Sequence, residues 1–165
     1  MTPFLGWIAV GPSAAAPGIR KGSPMETVPL LGLRWSIKRS FLDYISRAPG
    51  GRAVLSDSAI ATENREIIFG PDPREVPGSE EHIRSLAFLG TVTFTAHSGI
   101  LHVPISNPWV TFQDDGGELT IMDPFHHQGT ARLRLAAFAI EDHLVADGFE
   151  HWLATDVRLA EEGRE

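Results

Sequence analysis

The chain has 165 residues, enough for one domain with a single core, and its 42% hydrophobic and 21% charged content is that of a globular protein. The formal net charge of −7 with scattered Lys and Arg leaves no basic surface that neutralises phosphates, which argues against a nucleic-acid partner. The absence of cysteine excludes disulfide bonds, thiolate catalysis, iron–sulfur clusters and cysteine zinc sites.

Residues 1–28 are rich in Pro, Gly and Ala and show no periodicity. They are predicted to be a flexible leader or extension ahead of a single domain at 29–165. The segment lacks the basic start of a secretion signal, and no apolar run approaches the roughly 20 residues of a membrane-spanning helix. The chain as written is therefore expected to be cytoplasmic and without membrane insertion, with a secreted or cell-envelope location as the alternative.

A short helix is predicted after the apolar piece "LLGLRW". Ile37, Phe41 and Tyr44 lie at helical spacing, while the intervening basic and acidic residues face outward. Ser36 is the expected N-cap, and "APGG" at 48–51 ends the helix. Tyr44 is the only tyrosine of the chain, and it is expected on the apolar side of this helix.

The pattern then changes to the alternation typical of strands. "RAVLSDSAIAT" and "REIIFG" are predicted strands around a polar turn, and 71–82 is a long loop. The segment from "SLAFLG" to "ELTIMDP" gives the strongest strand signal, because apolar and Thr residues alternate in "TVTFTA". "DDGG" is expected to be a hairpin turn in which the glycines supply positive φ, and "TARLRLAAFAI" is a further strand.

The end of the chain is predicted to contain a short helix in "VADGFEHWLATD". Many strands at regular spacing with one early helix indicate a mainly β fold of the α+β type. The expected architecture is an antiparallel β-sandwich or open barrel carrying the early α-helix and the short C-terminal helix.

Several polar clusters are interpreted as solvated loops and turns. "DPFHHQG" at 123–129 holds adjacent histidines, but these point to opposite faces in a strand, and no third ligand follows at zinc spacing. "QDDGG" lacks the alternating oxygen ligands of a calcium site. His102 is interpreted as an exposed or satisfied histidine rather than a ligand.

Two segments resemble the signatures of the HtaA-type haem-binding domain family. "LRWSIKRSFLDYI" is similar to its opening, with a Trp, then a Ser-Phe pair and a Tyr three residues later. "FLGTVTFTAHSGILHVPISNPWV" is similar to its second signature, in which a strand ends in Phe-Thr-x-His and the next closes on Ser-Asn-Pro. "GFEHWLATD" resembles the closing segment, although Glu150 and His151 replace the usual aromatic residue. The resemblance covers roughly residues 31–156.

The resemblance implies ferric haem b as the cofactor and haem capture, storage or transfer, with other haem carriers as partners. Tyr44 falls on the iron-ligating tyrosine, His97 on the histidine that hydrogen-bonds its oxygen, and Ser40 on a serine near the haem. The porphyrin is expected between the helix and the sheet edge, with its propionates toward solvent or Ser40. The further expected contacts with its faces are Phe41, Ile37, Phe94 and Trp109.

The chemistry of a phenolate and an imidazole supports this pair. A phenolate is a hard anionic ligand that favours ferric iron, and an imidazole N–H beside it assists. Without the family resemblance, the single Tyr would be interpreted as a residue at the edge of the core, whose hydroxyl reaches water or a carbonyl.

Two alternatives stay open at this point. One is a haem-dependent enzyme, such as an oxidase, a peroxidase or a rearrangement catalyst, for which His102 or His151 is the candidate acid–base group. The other is a haem-free small-molecule-binding sandwich. The substrate, the catalytic residues and the oligomeric state are left open.

Overall fold

The computed structural model describes residues 6–12, 32–74, 84–114, 116–126, 130–146 and 149–161. Most of the predicted leader and of the loop at 71–82 lies outside these residues. Within them the backbone forms twelve strands, one helix and one 3-10 turn at His97–Gly99. The helix α1 is Arg39–Arg47, and the strands are β1 (Gly6–Pro12), β2 (Gly32–Ser36), β3 (Arg52–Ser56), β4 (Ile60–Ala61), β5 (Glu66–Pro71), β6 (Arg84–Leu89), β7 (Thr91–Ala96), β8 (Leu101–Ser106), β9 (Trp109–Gln113), β10 (Gly116–Met122), β11 (Arg132–Ala146) and β12 (Phe149–Leu159).

The strands form two antiparallel sheets. The larger sheet has nine strands in the order β2-β1-β12-β11-β10-β9-β6-β5-β4, and it curls so that β2 also pairs with β5. The smaller sheet has the order β3-β7-β8. The prediction of a mainly β antiparallel fold with an early helix is confirmed. No helix among the described residues is long and apolar enough to cross a membrane.

The core lies between the curled sheet, the small sheet and α1. Strand β7 shows why the sequence pattern was informative: Val92, Phe94 and Ala96 are buried, while the threonines between them are half-buried on the other face. Phe69 of β5 and Phe88 of β6 face the same core. The cluster places a rigid apolar floor under the helix.

A corner around Asn107 carries the chain between the two sheets. The Asn107 Oδ1 accepts a hydrogen bond from the Gly90 N–H at 3.1 Å, and the Asn107 N–H donates to the Gly90 carbonyl at 2.8 Å. Asn107 has φ 45, a left-handed conformation that Asn tolerates better than most residues. The Arg132 guanidinium donates to the Asn107 carbonyl at 2.7 Å, and burial lowers the pKa of Arg132 to about 10.

We expect Asn107→Ala to destabilise the protein by about 2–3 kcal/mol. The backbone N–H of Gly90 loses its side-chain acceptor, and Ala disfavours the left-handed backbone. Asn107→Gly is the matched variant, since Gly accepts this backbone and loses only the side-chain bond. It should cost about 1–2 kcal/mol. Urea unfolding of the three proteins measures both costs, and equal stability of all three would contradict the role of this corner.

The predicted C-terminal helix is wrong. Residues 149–159 are strand β12, paired with β11 and β1, and Trp152 and Ala154 are buried in an alternating pattern. The alternation does not run through the whole segment, because the strand is irregular near Asp156, which has φ 48 and lies where the register with β11 shifts.

Three smaller expectations also differ from the structure. Ser36 does not cap α1, because it still belongs to β2 and donates to the Glu66 carboxylate at 3.0 Å. Gly116 and Gly117 lie in β10 and not in the hairpin turn, where Asp114 has the positive φ. A Cβ on Gly117 would approach the Thr111 carbonyl oxygen to 2.5 Å. Residues 6–12 pair with β2 and β12, so this part of the predicted leader belongs to the sheet.

Candidate functional site

Helix α1 presents one polar stripe away from the core. Phe41 and Leu42 pack against the core and Ile45 is 4% exposed, whereas Tyr44 is 47% exposed. Tyr44 therefore lies on the solvent side of the helix and not on the apolar side where it was predicted. Ser40 lies four residues before it, on the same face.

The end of the helix is fixed by the residues that follow it. The Ala48 N–H donates to the Tyr44 carbonyl at 3.0 Å, and Ala48 is extended, as a residue before proline prefers. Pro49 then stops the helix, and its carbonyl accepts a hydrogen bond from the His97 N–H at 2.7 Å. This bond ties the end of α1 to the end of β7.

The turn after β7 has a backbone that amino acids other than Gly rarely adopt. His97 has φ 52, Ser98 φ 58 and Gly99 φ 92, so three successive residues lie in the left-handed region. Such conformations cost on the order of 1–3 kcal/mol for a non-Gly residue and cluster at functional sites. The turn reverses the chain and directs the His97 imidazole toward the helix.

Tyr44 and His97 meet although 53 residues separate them. The phenol oxygen is 2.8 Å from the His97 Nε2, and the ring centroids are 5.8 Å apart. A neutral imidazole protonated on Nε2 donates to a phenolate, and the other tautomer accepts from a phenol. The pair can therefore present an anionic oxygen whose charge is stabilised by one N–H.

A cleft of about 490 Å³ opens over this pair. Its size falls within the roughly 300–1,000 Å³ of small-molecule sites. Polar groups are mixed with the apolar surface of the helix end, so the cleft can hold a flat, largely apolar molecule with an oxygen ligand beneath it. It is lined by Ser40, Asp43, Tyr44, Arg47, Ala48, Pro49 and His97.

The structure brings together three of the residues named from the sequence, namely Tyr44, His97 and Ser40. Phe41 and Phe94 lie beneath them in the core, in edge-to-face contact with centroids 5.2 Å apart, so they support the cleft and do not line it.

Two other predicted residues lie away from the cleft. Ile37 borders a separate, smaller cleft, and Trp109 lies on β9 in the large sheet with the Arg132 guanidinium 4.3 Å above its ring.

Four residues of the cleft were not predicted from the sequence. Arg47 lies three residues after Tyr44 on the same helix face, a spacing that could have identified it. Asp43 carries a carboxylate that pairs with Arg65 at 3.2 Å. Ala48 and Pro49 were read only as a helix end, because nothing local indicates that this end forms a wall.

Neither His102 nor His151 lines the cleft. His102 is exposed on β8, opposite Thr95, and His151 lies on β12 opposite Ala9.

The "DPFHHQG" segment holds a local hydrogen-bonded turn. The Phe125 N–H donates to the Asp123 carboxylate, and the His126 Nδ1 lies 2.5 Å from the same carboxylate. These two contacts hold the pKa of Asp123 below its usual value. His127 lies outside the described residues, and within them no three His, Asp or Glu side chains form a metal cluster.

Comparisons with known proteins give one family and one fold. The model of the Htaa (HtaA) family matches residues 31–165. The solved structures that resemble the chain include the C-terminal domain of HtaA from Corynebacterium glutamicum, at 24% identity and a TM-score of 0.59 over 79% of this chain and 80% of that one. A domain-swapped dimer of a His-to-Ala variant of the same domain matches at 21% identity and a TM-score of 0.53. This match covers 90% of this chain and 86% of that one. At these identities the likeness shows the fold. No curated protein sequence matched significantly.

Proposed function

The chain belongs to the HtaA family, which is known in haem uptake and transfer, and from this membership and the Tyr44–His97 pair we propose that it binds ferric haem b and captures, stores or transfers it. Tyr44 is the proposed axial ligand and His97 its hydrogen-bond partner. The observation that carries the proposal is the 2.8 Å contact between the phenol oxygen and the imidazole at the floor of the cleft.

The donor set of the cleft fits haem. Tyr44 would hold the haem through its phenol oxygen, and the haem would supply a ferric iron, as in haem proteins with a tyrosine ligand. Tyr44 would present that oxygen from a helix anchored by Ile45, and His97, protonated on Nε2, would donate one N–H to it from a turn that is tied to Pro49. A supporting partner of this kind fixes the orientation of a ligand and its basicity.

The exposure of Tyr44 favours a carrier over a sealed catalytic chamber. The phenol is 47% exposed, so a planar molecule can reach it from solvent and leave by the same path. An enzyme that activates an oxidant would need a proton-donating group on the open face. The candidates for that role, His102 and His151, do not line the cleft.

Titration of the metal-free protein with hemin, followed by absorption, tests the proposal. We expect one haem per chain and a phenolate-to-iron charge-transfer band. His97→Ala should keep this band and bind about tenfold more weakly, because the ligand loses its supporting hydrogen bond. His102→Ala, which removes an imidazole outside the cleft, is the control and should bind like the wild type. A wild-type protein without the band would contradict the proposal.

A further inference from the structure

The charges around the cleft do not cancel. Asp43 is already paired with Arg65, whose guanidinium lies 3.2 Å from its carboxylate. Arg47 also lines the cleft, and among the described residues no carboxylate forms an ion pair with it. The side chain is exposed, so its N–H groups can turn toward a molecule in the cleft.

Arg47 lies close to the proposed ligand along the helix. It is three residues after Tyr44, which places the two side chains on one face, about 4.5 Å apart along the axis. Ser40 lies about 6 Å from Tyr44 in the other direction. The phenol oxygen is therefore flanked by a cation on the C-terminal side of the helix and by a neutral hydroxyl on the other.

Haem carries two propionate carboxylates on one edge of an otherwise apolar ring. We propose that Arg47 binds a propionate of the haem and thereby sets how the porphyrin is rotated above Tyr44. This inference rests on the proposed function. It assigns the carboxylate to Arg47 and not to solvent or Ser40, because a guanidinium forms a charge-assisted, two-pronged contact with a carboxylate and a hydroxyl does not.

Arg47 also lies in the last turn of α1, where a cation interacts favourably with the negative end of the helix. That role stabilises the helix whether or not a porphyrin is present. If Arg47 only stabilised the helix, porphyrin binding would not depend on the carboxylates of the porphyrin. Comparing porphyrins with free and with esterified carboxylates therefore separates helix stabilisation from propionate binding.

The test compares Arg47→Gln with the wild type in binding hemin, metal-free protoporphyrin IX and the dimethyl ester of protoporphyrin IX, by fluorescence quenching or absorption. We expect Arg47→Gln to bind both free acids about two- to fivefold more weakly at low salt, as an exposed ion pair predicts. Added salt should reduce this difference. The dimethyl ester should bind both proteins equally, and Arg47→Lys should recover part of the affinity.

Arg39→Gln is the matched control, because Arg39 is on the same helix but borders the other cleft. It should bind every porphyrin like the wild type. Equal weakening of free acid and ester by Arg47→Gln, or no weakening, would overturn the inference while hemin binding through Tyr44 still stood. Failure of the wild type to bind hemin would instead remove the proposed function and the inference with it.

Discussion

Tyr44→Phe is expected to lower the affinity for ferric haem by a factor of about 100 or more and to abolish the charge-transfer band, which corresponds to a loss of about 2.7 kcal/mol. The change deletes one oxygen and keeps the ring. Because that oxygen is the single proposed protein ligand, the porphyrin would retain only its apolar contacts and the contact with Arg47. Hemin titration with absorption spectra measures the effect.

The fold should survive this substitution. The phenol is 47% exposed and His97 is half-buried, so water can replace the lost hydrogen bond. The cost to the free energy of unfolding should stay below about 1 kcal/mol. Metal-free protoporphyrin IX is the control ligand, since it has no iron for Tyr44 to hold, and it should bind both proteins equally. Undiminished hemin binding by Tyr44→Phe would exclude Tyr44 as the ligand.

Gly51→Ala is expected to destabilise the protein by about 3–5 kcal/mol. A Cβ at this position would lie 1.7 Å from the Ile45 carbonyl oxygen and 2.9 Å from that of Ala48. Both contacts are with backbone atoms, so the end of α1 must move away from the start of β3. That movement withdraws Ile45, which is 4% exposed, from the core. Chemical denaturation monitored by circular dichroism measures the loss.

Gly70→Ala is the matched control for this prediction. A Cβ on Gly70 would meet the Ser58 Cβ at 3.6 Å, an ordinary contact, so stability should change by less than about 1 kcal/mol. We also expect Gly51→Ala to weaken hemin binding, because the helix end that moves forms a wall of the cleft. Equal stability of the two variants would show that the helix end accommodates a side chain at no cost.

The strands were predictable where each one buries a single face. In β7 the alternation of threonines with Val92, Phe94 and Ala96 identifies both the strand and its buried side. Strand β12 was mistaken for a helix because its neighbours β11 and β1 determine which residues are buried. Those neighbours come from both ends of the chain, and no local pattern contains that information.

The pairing of Tyr44 with His97 could not be derived from spacing, because one residue lies on the helix and the other in a turn 53 residues later. Family resemblance supplied the pair, and the structure brings its atoms together. Trp109 failed as a cleft residue for a topological reason. The corner at Asn107 carries the chain from the small sheet to the large one, so the residues that follow it leave the neighbourhood of His97.

The backbone bond from His97 to Pro49 makes the number of residues in the adjoining helix and turn matter to the site, in addition to the identities of Tyr44 and His97. One residue inserted into α1 before Tyr44 would swing the phenol by about 100° around the helix axis, away from the imidazole. One residue inserted into the left-handed turn at His97–Gly99 would move the His97 imidazole away from the Tyr44 phenol. The number of residues is therefore constrained within α1 and within the turn at His97–Gly99.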